Sequence, residues 1–543
     1  MKSTIDVGAG QLFDLNLVIN LLDRFYPRLL TQIDRDPDSP TYGSCDRHFW
    51  MYRLNDFDSG VVQQAGLTLA ALDRLADYTD FADCRYLDPA HRGYWRKLAL
   101  AINRRNVRLL EANGFLDEYF PGERSFPATV FAGYATLKSA VMLGQQEIID
   151  APGLAAAAER LLSRPASPAA NQDTAAAAFL ALYGKTRNWK TDQVAAAAAK
   201  LLAGQDGKAA FGEYGGLDLG YATVSLNYLA YMAEDESYPA GDCLAKLAGV
   251  IADFVTPRGF LGGEFAARST TYFLPFGLLQ AAVRGGDPQG RFSRLDLSAN
   301  FDKLDDRYLI HYSLPSLALT GLKLARDGAD IPPRVKEQTG WSAGDHSAQG
   351  LIVCRRAETA VIIGLNKGGS VQLETAAATF IDCGYRVRRG AETFATCVLD
   401  ANPDFRLERS AEGMVLETRA SFQRYATLTA SPLKTVALRL LRVLGPTFNA
   451  YFKSRLIKST QVLPGCTLKR RVSLSFASRK MSIDDEVIGL RPDDLLHSAP
   501  PWSFRLVPSA KFYQEGEAMP VNDRNSESVL TERTFSRVID LDG

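Results

Sequence analysis

The sequence predicts a multi-domain chain, α then β: an N-terminal (α/α) toroid of about six helical hairpins followed by an antiparallel β-sandwich. Three observations carry that expectation. A unit of polar or glycine-rich loop, apolar helix and more charged helix recurs through the first part of the chain. Three of its loops share one pattern of aromatic, acid and aromatic. After Pro332-Pro333 the helical spacing of apolar residues gives way to short runs rich in Val, Ile, Leu, Thr and Phe.

A chain of 543 residues with 46% hydrophobic content exceeds what one core serves. Residues 1–44 read as an N-terminal helical extension containing an apolar stretch at 12–30. Residues 45–331 carry the repeated unit. Its first apolar helix runs from about Ser59 to Leu75, after a loop containing His48, and a charged partner follows near 94–112. Further apolar helices are predicted to start near Pro127, Asn171, Gly220, Ser269 and Tyr312. The intervals, about 40 to 70 residues, match two helices and two loops.

The similar loops are Phe115-Leu-Asp-Glu-Tyr119, Phe211-Gly-Glu-Tyr214 and Phe260-Leu-Gly-Gly-Glu-Phe265. Equivalent loops of a closed ring open on one rim, so Glu118, Glu213 and Glu264 are expected to face a common cleft. Arg124, Tyr221, Arg268, Tyr272 and His311 should join them. Acids at helix starts also offset the macrodipole, and that alone explains any one of them. Capping needs no aromatic neighbour, however, whereas sugars stack on aromatic faces and hydrogen-bond to carboxylates.

Residues 332–543 form the predicted sandwich, with strands at 359–364, 405–409, 414–418, 468–476 and 481–488. An insertion at 432–458 has helical period, six basic residues and no acid. Such a stretch either packs on the sandwich with its basic side solvated or lies peripherally on an anionic membrane.

Composition removes several classes. The 62 basic and 62 acidic residues cancel, which excludes nucleic-acid binding driven by counterion release. The first residues lack a secretory pattern, no run reaches about 18 apolar residues, and the seven cysteines are scattered. A cytoplasmic chain is expected. His48, His91, His311, His346 and His497 show no metal-ligand spacing, so no metal is expected. Neither a nucleophile elbow nor a dinucleotide or phosphate-cradling glycine motif is present, so no cofactor is expected.

Two short segments carry a family likeness: Pro168-Ala-Ala-Asn-Gln-Asp173 and Asp218-Leu-Gly-Tyr221. With the domain order, they give a chain that resembles the heparinase II/III and alginate lyase type of polysaccharide lyases and uronyl epimerases. The resemblance implies that Asn171, at the start of an inner helix, neutralises a uronate carboxylate while Tyr221 acts as acid or base. The family's histidine after that asparagine is Gln172 here, and its sandwich histidine loop has no histidine counterpart in 365–370. His48, His311 and His346 are the alternative proton carriers or substrate contacts.

Arg268 is a candidate carboxylate anchor, with an ion pair to Glu264 four residues earlier as its local alternative. Glu213, with Glu264 or Asp218, would serve a glycoside hydrolase. Tyr214, Tyr272, Glu118, Arg124, Gln172 and Asp218 complete the expected sugar contacts. The expected partner is an acidic poly- or oligosaccharide, lipid-linked in the version that uses 432–458 on a membrane. β-Elimination or C5 epimerisation in surface-polysaccharide biosynthesis is the first reading, hydrolysis the second, and a non-catalytic assembly protein the third.

Overall fold

The computed structural model describes residues 11–111, 114–203, 211–330, 340–400, 402–425, 431–433, 436, 440, 461–501 and 528–541. Eleven long helices among them build the ring: α1 (Leu15–Gln32), α2 (Ala65–Leu75), α3 (Arg92–Glu111), α4 (Phe126–Leu143), α5 (Pro152–Leu162), α6 (Ala170–Arg187), α7 (Thr191–Ala203), α8 (Leu219–Glu234), α9 (Gly241–Asp253), α10 (Pro275–Val283) and α11 (Leu314–Asp327). The inner set is α2, α4, α6, α8, α10 and α11. Each packs on the next, and α11 packs back on α2, so the ring closes.

Inner and outer helices differ as burial requires. Along α6 every residue from Asp173 to Gly184 is buried, so the helix is apolar on all sides. The outer α9 buries only Leu244, Leu247, Ala248, Ile251 and Ala252, a single stripe at helical spacing. The N-terminal α1 packs on α11, and its Val18, Leu21, Leu22, Phe25 and Leu29 belong to the same apolar core as the ring.

Three predicted starts, Pro127, Asn171 and Gly220, fall in the first turns of α4, α6 and α8. Two others come later than expected. A 3-10 turn at Gly60–Val62 delays α2 to Ala65. The segment before α10 stays extended because Thr270 donates its amide and hydroxyl to Asp218. The sixth start is a π-turn over Leu309–Ser313 running into α11, a device that re-aims side chains within a helix.

The C-terminal part is two antiparallel sheets. The first is a meander in the order β1 (Ser342–His346), β2 (Leu351–Arg356), β3 (Thr359–Gly364), β4 (Ser370–Glu374), β5 (Thr379–Asp382). The second contains β6 (Tyr385–Arg389), β7 (Glu392–Ala395), β8 (Asp404–Ser410), β9 (Gly413–Arg424), β10 (Val462–Ser475), β11 (Lys480–Ile488), β12 (Leu495–Ser498) and β13 (Thr534–Asp540). Its order is β12-β6-β7-β9-β10-β11-β13, with β8 also on β9.

Ile352, Cys354, Val361, Ile363, Val371 and Leu373 of the first sheet pack against Met414, Leu416, Val472, Leu474, Met481 and Ile483 of the second. On the other face of the first sheet, Leu351, Val353 and Ile362 join the core of the ring. That sheet is therefore a middle layer, which explains why Leu351-Ile-Val-Cys354 and Val361-Ile-Ile363 are continuous apolar runs rather than alternating ones. β10 and β11 instead alternate buried and exposed residues, with their polar face in water.

One buried ionic cluster crosses the sandwich. Arg470 bonds Asp485 Oδ1 and Asp382 Oδ1, each at 2.7 Å, and Gly369 O at 3.1 Å. Arg537 pairs with the same two carboxylates. The predicted stretch at 432–458 lies almost entirely outside the described residues. Among the described residues, no helix is long and apolar enough to cross a membrane.

Candidate functional site

The rim above α6 and α8 is assembled by backbone before any side chain is placed. Residues 211–218 close on themselves through a bridge between Gly212 and Leu217 and fold onto the start of α6 through one between Ala169 and Glu213. Tyr214 N–H donates to Pro168 O at 3.0 Å. Phe211 and Tyr214 both take positive φ, 56° and 58°, so the turn is tight and strained. The sandwich seals it from above: Leu217 N–H donates to Gln349 O, and Asn366 Nδ2 to Gly215 O at 2.7 Å. Asn366 and Lys367 thus enter the rim from the loop that lacks a histidine, and Lys367 Nζ reaches Ser269 Oγ at 3.3 Å.

Asp218 organises the centre. It caps α8 by accepting from Tyr221 N–H at 3.2 Å, and also accepts from Arg268 N–H at 2.9 Å, Thr270 N–H at 3.2 Å and the Thr270 hydroxyl. Burial pushes its carboxyl group above the usual range, and these donors pull it back. One carboxylate therefore fixes both the helix start bearing Tyr221 and the loop bearing Arg268. Its oxygens are committed to those four donors.

Asn171 sits in the first turn of α6, and its N–H donates to Glu213 Oε1 at 3.2 Å. Its side-chain Oδ1 is buried and has no hydrogen-bond partner among the described residues. Glu213 is 2% exposed. Burial raises its pKa well above the ordinary carboxyl value; the Asn171 N–H and Arg268 oppose this, while Asp218 and Asp173 add to it. Asp173 accepts Ser167 N–H on both oxygens, yet burial still pushes it up to about 7.

Arg268 lies with its guanidinium carbon 4.9 Å from the centre of the Tyr214 ring. Its Nε is buried with no hydrogen-bond partner, and the side chain makes no ion pair among the described residues. The pairing with Glu264 that local spacing allows is not made. Tyr221 is half-buried, its ring perpendicular to Tyr272 at 6.1 Å.

From Tyr272 an aromatic run continues through Tyr308 at 5.6 Å and Tyr312 at 5.6 Å to Phe131 at 5.5 Å. Arg307, beside it, pairs with Glu118 at 2.7 Å and lies 5.9 Å from the Tyr119 ring. Glu118 also accepts the Ser125 hydroxyl at 2.8 Å. His311, in the π-turn, is fully enclosed, and burial with the Arg307 charge lowers its pKa to about 3. It stays a neutral imidazole at neutral pH and is a weak base there.

Asn171, Glu213, Tyr214, Tyr221, Arg268 and Tyr272 are linked, through Asp218, by hydrogen bonds, ring contacts or electrostatic neighbourhood. The three similar glutamates do not line an open cleft. Glu118, Glu213 and Glu264 are 9%, 2% and 2% exposed. Gln172 bonds Ser167 Oγ through Oε1 at 3.0 Å. Arg124 is exposed, with its backbone N–H held by Asp117.

Two histidines sit apart. His346 bonds Asp253 at 3.0 Å at the end of outer helix α9, 5.0 Å from the Phe254 ring, where it ties β1 to the ring. His48 packs 6.1 Å from Tyr52, and no hydrogen bond or ring contact joins it to Asn171 or Tyr221 among the described residues. Sequence reasoning missed Arg307 and Lys367. Arg307 precedes the sixth inner helix, and the loop rule applied there would have found it; Lys367 was passed over because its loop was searched for histidine alone.

No family model matches the chain, and no curated protein matches it. Among solved structures it is similar to the Streptomyces coelicolor A3 chondroitin AC lyase in complex with chondroitin sulphate, with a TM-score of 0.44, 11% identity, and coverage of 88% of this chain and 70% of that chain. It is also similar to a tyrosine-to-alanine mutant of that lyase, with a TM-score of 0.38, 10% identity, and coverage of 89% and 71%.

Proposed function

We propose that the chain is a polysaccharide lyase or uronyl epimerase acting on an acidic, uronate-containing glycan at the rim of α6 and α8. The observation that carries the reading is Arg268: a half-buried guanidinium stacked on Tyr214, without an ion-pair partner among the described residues, beside Asn171 and Tyr221. A carboxylate on a sugar ring satisfies a bidentate guanidinium, while the ring itself has Tyr214, Tyr221 and Tyr272 to lie against.

The chemistry follows from that placement. Removing the C5 proton of a uronate builds charge on its carboxyl oxygens, which Arg268 and the Asn171 side chain would hold. Tyr221, as phenolate, would take the C5 proton and, as phenol, return it to the leaving glycosidic oxygen. In elimination the C5–H and C4–O bonds break and a C4–C5 double bond forms. In epimerisation the proton returns to the opposite face of C5 and the chain stays intact.

Hydrolysis is less well supported, because Asp218 spends its oxygens on four donors and is not available as the second carboxylate for Glu213. The test is incubation with a panel of acidic glycans. Growth of the unsaturated-uronate absorbance marks elimination, reducing ends without it mark hydrolysis, and deuterium at C5 without cleavage marks epimerisation. Asn171→Ala and Tyr221→Phe should each lower turnover by about 10² or more. Full activity in both variants refutes the assignment.

A further inference from the structure

Four arginines, each in a segment that precedes an inner helix, repeat one arrangement. Arg47 lies over the Tyr52 ring, Arg164 over Phe126, Arg268 over Tyr214 and Arg307 over Tyr119, with guanidinium carbons 5.2, 3.6, 4.9 and 5.9 Å from the ring centres. In all four the Nε is buried and has no hydrogen-bond partner among the described residues. Arg47 donates to the Tyr52 hydroxyl at 2.8 Å and Arg307 pairs with Glu118, so the outer ends of those two have partners within the protein. The half-buried Arg164 differs: its side chain makes no hydrogen bond and no ion pair among the described residues.

Arg164 stands beside the site already described. Its ring partner Phe126 is the first residue of α4, and residues 163–169 lead into α6. That segment is pinned at its far end. Ser167 N–H donates to both oxygens of Asp173 at 2.9 Å, Ser167 Oγ meets Gln172 Oε1 at 3.0 Å, and Pro168 O accepts the N–H of Tyr214 at 3.0 Å. Four residues of chain, at most about 14 Å when extended, therefore separate Arg164 from the carbonyl that holds the Tyr214 turn. Asp173 is the acid that bears on Arg164 electrostatically, yet its oxygens accept from Ser167 and form no ion pair with Arg164. Arg124, exposed two residues before Phe126, adds a second cation on this side of the rim. Stacking explains why the guanidinium covers Phe126; it does not explain a two-pronged donor edge without an acceptor.

We propose that Arg164 is a second carboxylate-binding site on the rim, taking the carboxylate of another uronate in the same glycan whose reacting uronate lies at Asn171 and Arg268. This rests on the reading of the site as one for acidic glycans, and narrows the ligand class to chains with at least two uronates on nearby sugars. A guanidinium held flat on a ring keeps its fork in one orientation, so little side-chain freedom is lost when a carboxylate binds it bidentately. Each carboxylate then meets its own cation on either side of the start of α6. A glycan gripped at two such points has its register along the rim set, whereas one with a single uronate satisfies one arginine and leaves the other unanswered.

The test is calorimetric titration at one fixed pH, so that no protein group changes its charge between measurements. The ligands are hexasaccharides of the chondroitin, guluronate and mannuronate types, each beside a ligand of the same sugars carrying a single uronate. Arg164→Met should lower affinity for the best hexasaccharide by about 10-fold or more, and by much less for its single-uronate counterpart. The losses of Arg164→Met and Arg268→Met should multiply in the double variant, as they do when two groups bind separate carboxylates. Equal losses for both ligands, a hexasaccharide affinity within about 2-fold of wild type, or a double variant no weaker than either single one overturns the proposal. A measurement on the wild type alone covers the case in which Arg164→Met fails to fold. Reducing all but one carboxyl group of the hexasaccharide should weaken its binding by about 10-fold or more, and unchanged affinity refutes the second site. In each of these failures the functional reading stands. If no acidic ligand of either kind binds the wild type, the functional reading fails and this proposal fails with it.

Discussion

Asp218→Ala is the substitution whose outcome the structure constrains most closely. The side chain is fully buried and accepts from three backbone amides, those of Tyr221, Arg268 and Thr270, and from the Thr270 hydroxyl. Removing it strands three N–H donors, one buried and two part-buried, each costing about 1 kcal/mol, and one of them is the cap of α8. Against that stands relief from burying a carboxyl group whose pKa is raised by the burial itself. The balance is a loss of roughly 2–4 kcal/mol of stability in the ring. The assay is urea unfolding followed by far-ultraviolet circular dichroism, which reads the helical part separately from the sandwich. Glycan turnover should fall too, because Tyr221 and Arg268 lose their common anchor. Gly220→Ala probes the same clamp without altering its charge, since a Cβ there would collide with Thr270 Oγ1. A loss below about 0.5 kcal/mol for Asp218→Ala, with turnover unchanged, would refute the claim that this carboxylate holds the site together.

Arg470→Met leaves Asp382 and Asp485 with Arg537 as their remaining cation and should destabilise the sandwich by about 3 kcal/mol, measured as a shift of its denaturation midpoint. Replacing Arg470, Asp382 and Asp485 together by apolar residues should recover most of that loss. Asp173 has a folded pKa of about 7 against an ordinary value of 3.8, so the native state holds an extra proton between those values and its stability falls as pH rises through them. Asp173→Asn should flatten the melting-temperature profile between about pH 4 and 7; an unchanged slope contradicts the assignment. Arg268→Lys should weaken acidic-glycan binding by about 10-fold or more, because a point charge replaces the bidentate, ring-stacked fork; calorimetry against the neutral glycan isolates the charge effect.

The ring was legible because its logic repeats. An inner helix of a closed toroid has no solvent face, so sequences such as Ala175-Ala-Ala-Ala-Phe-Leu180 advertise it by being apolar throughout, while α9 shows the single stripe of an outer helix. Starts at Phe126, Ala170 and Leu219 were legible for the same reason. The first strand layer was harder to place. Leu351-Ile-Val-Cys354 says only that both faces are buried, and nothing local says that one face meets the second sheet while the other meets the ring. The late start of α10 was not legible at all, since it depends on Asp218, 50 or so residues away from Arg268 and Thr270 in the chain.

The site divides along the same line. Asn171, Tyr221 and Arg268 could be singled out as candidates from the loops that precede helices and, for the first two, from the family likeness. Residues defined by partnership could not. Glu118, Glu213 and Glu264 look alike in sequence, yet Glu118 neutralises Arg307 across the ring, and Glu213 receives an amide and keeps acidic company. An acid's function is set by how many donors and cations face it, and those come from other hairpins and from the sandwich. The same holds for His311, whose place on the rim suggested a base, while burial and the Arg307 charge hold its pKa well below the usual imidazole value. Arg268 is informative for the opposite reason: its guanidinium stacks on Tyr214 and its buried Nε makes no hydrogen bond among the described residues, which a carboxylate arriving with a ligand would answer.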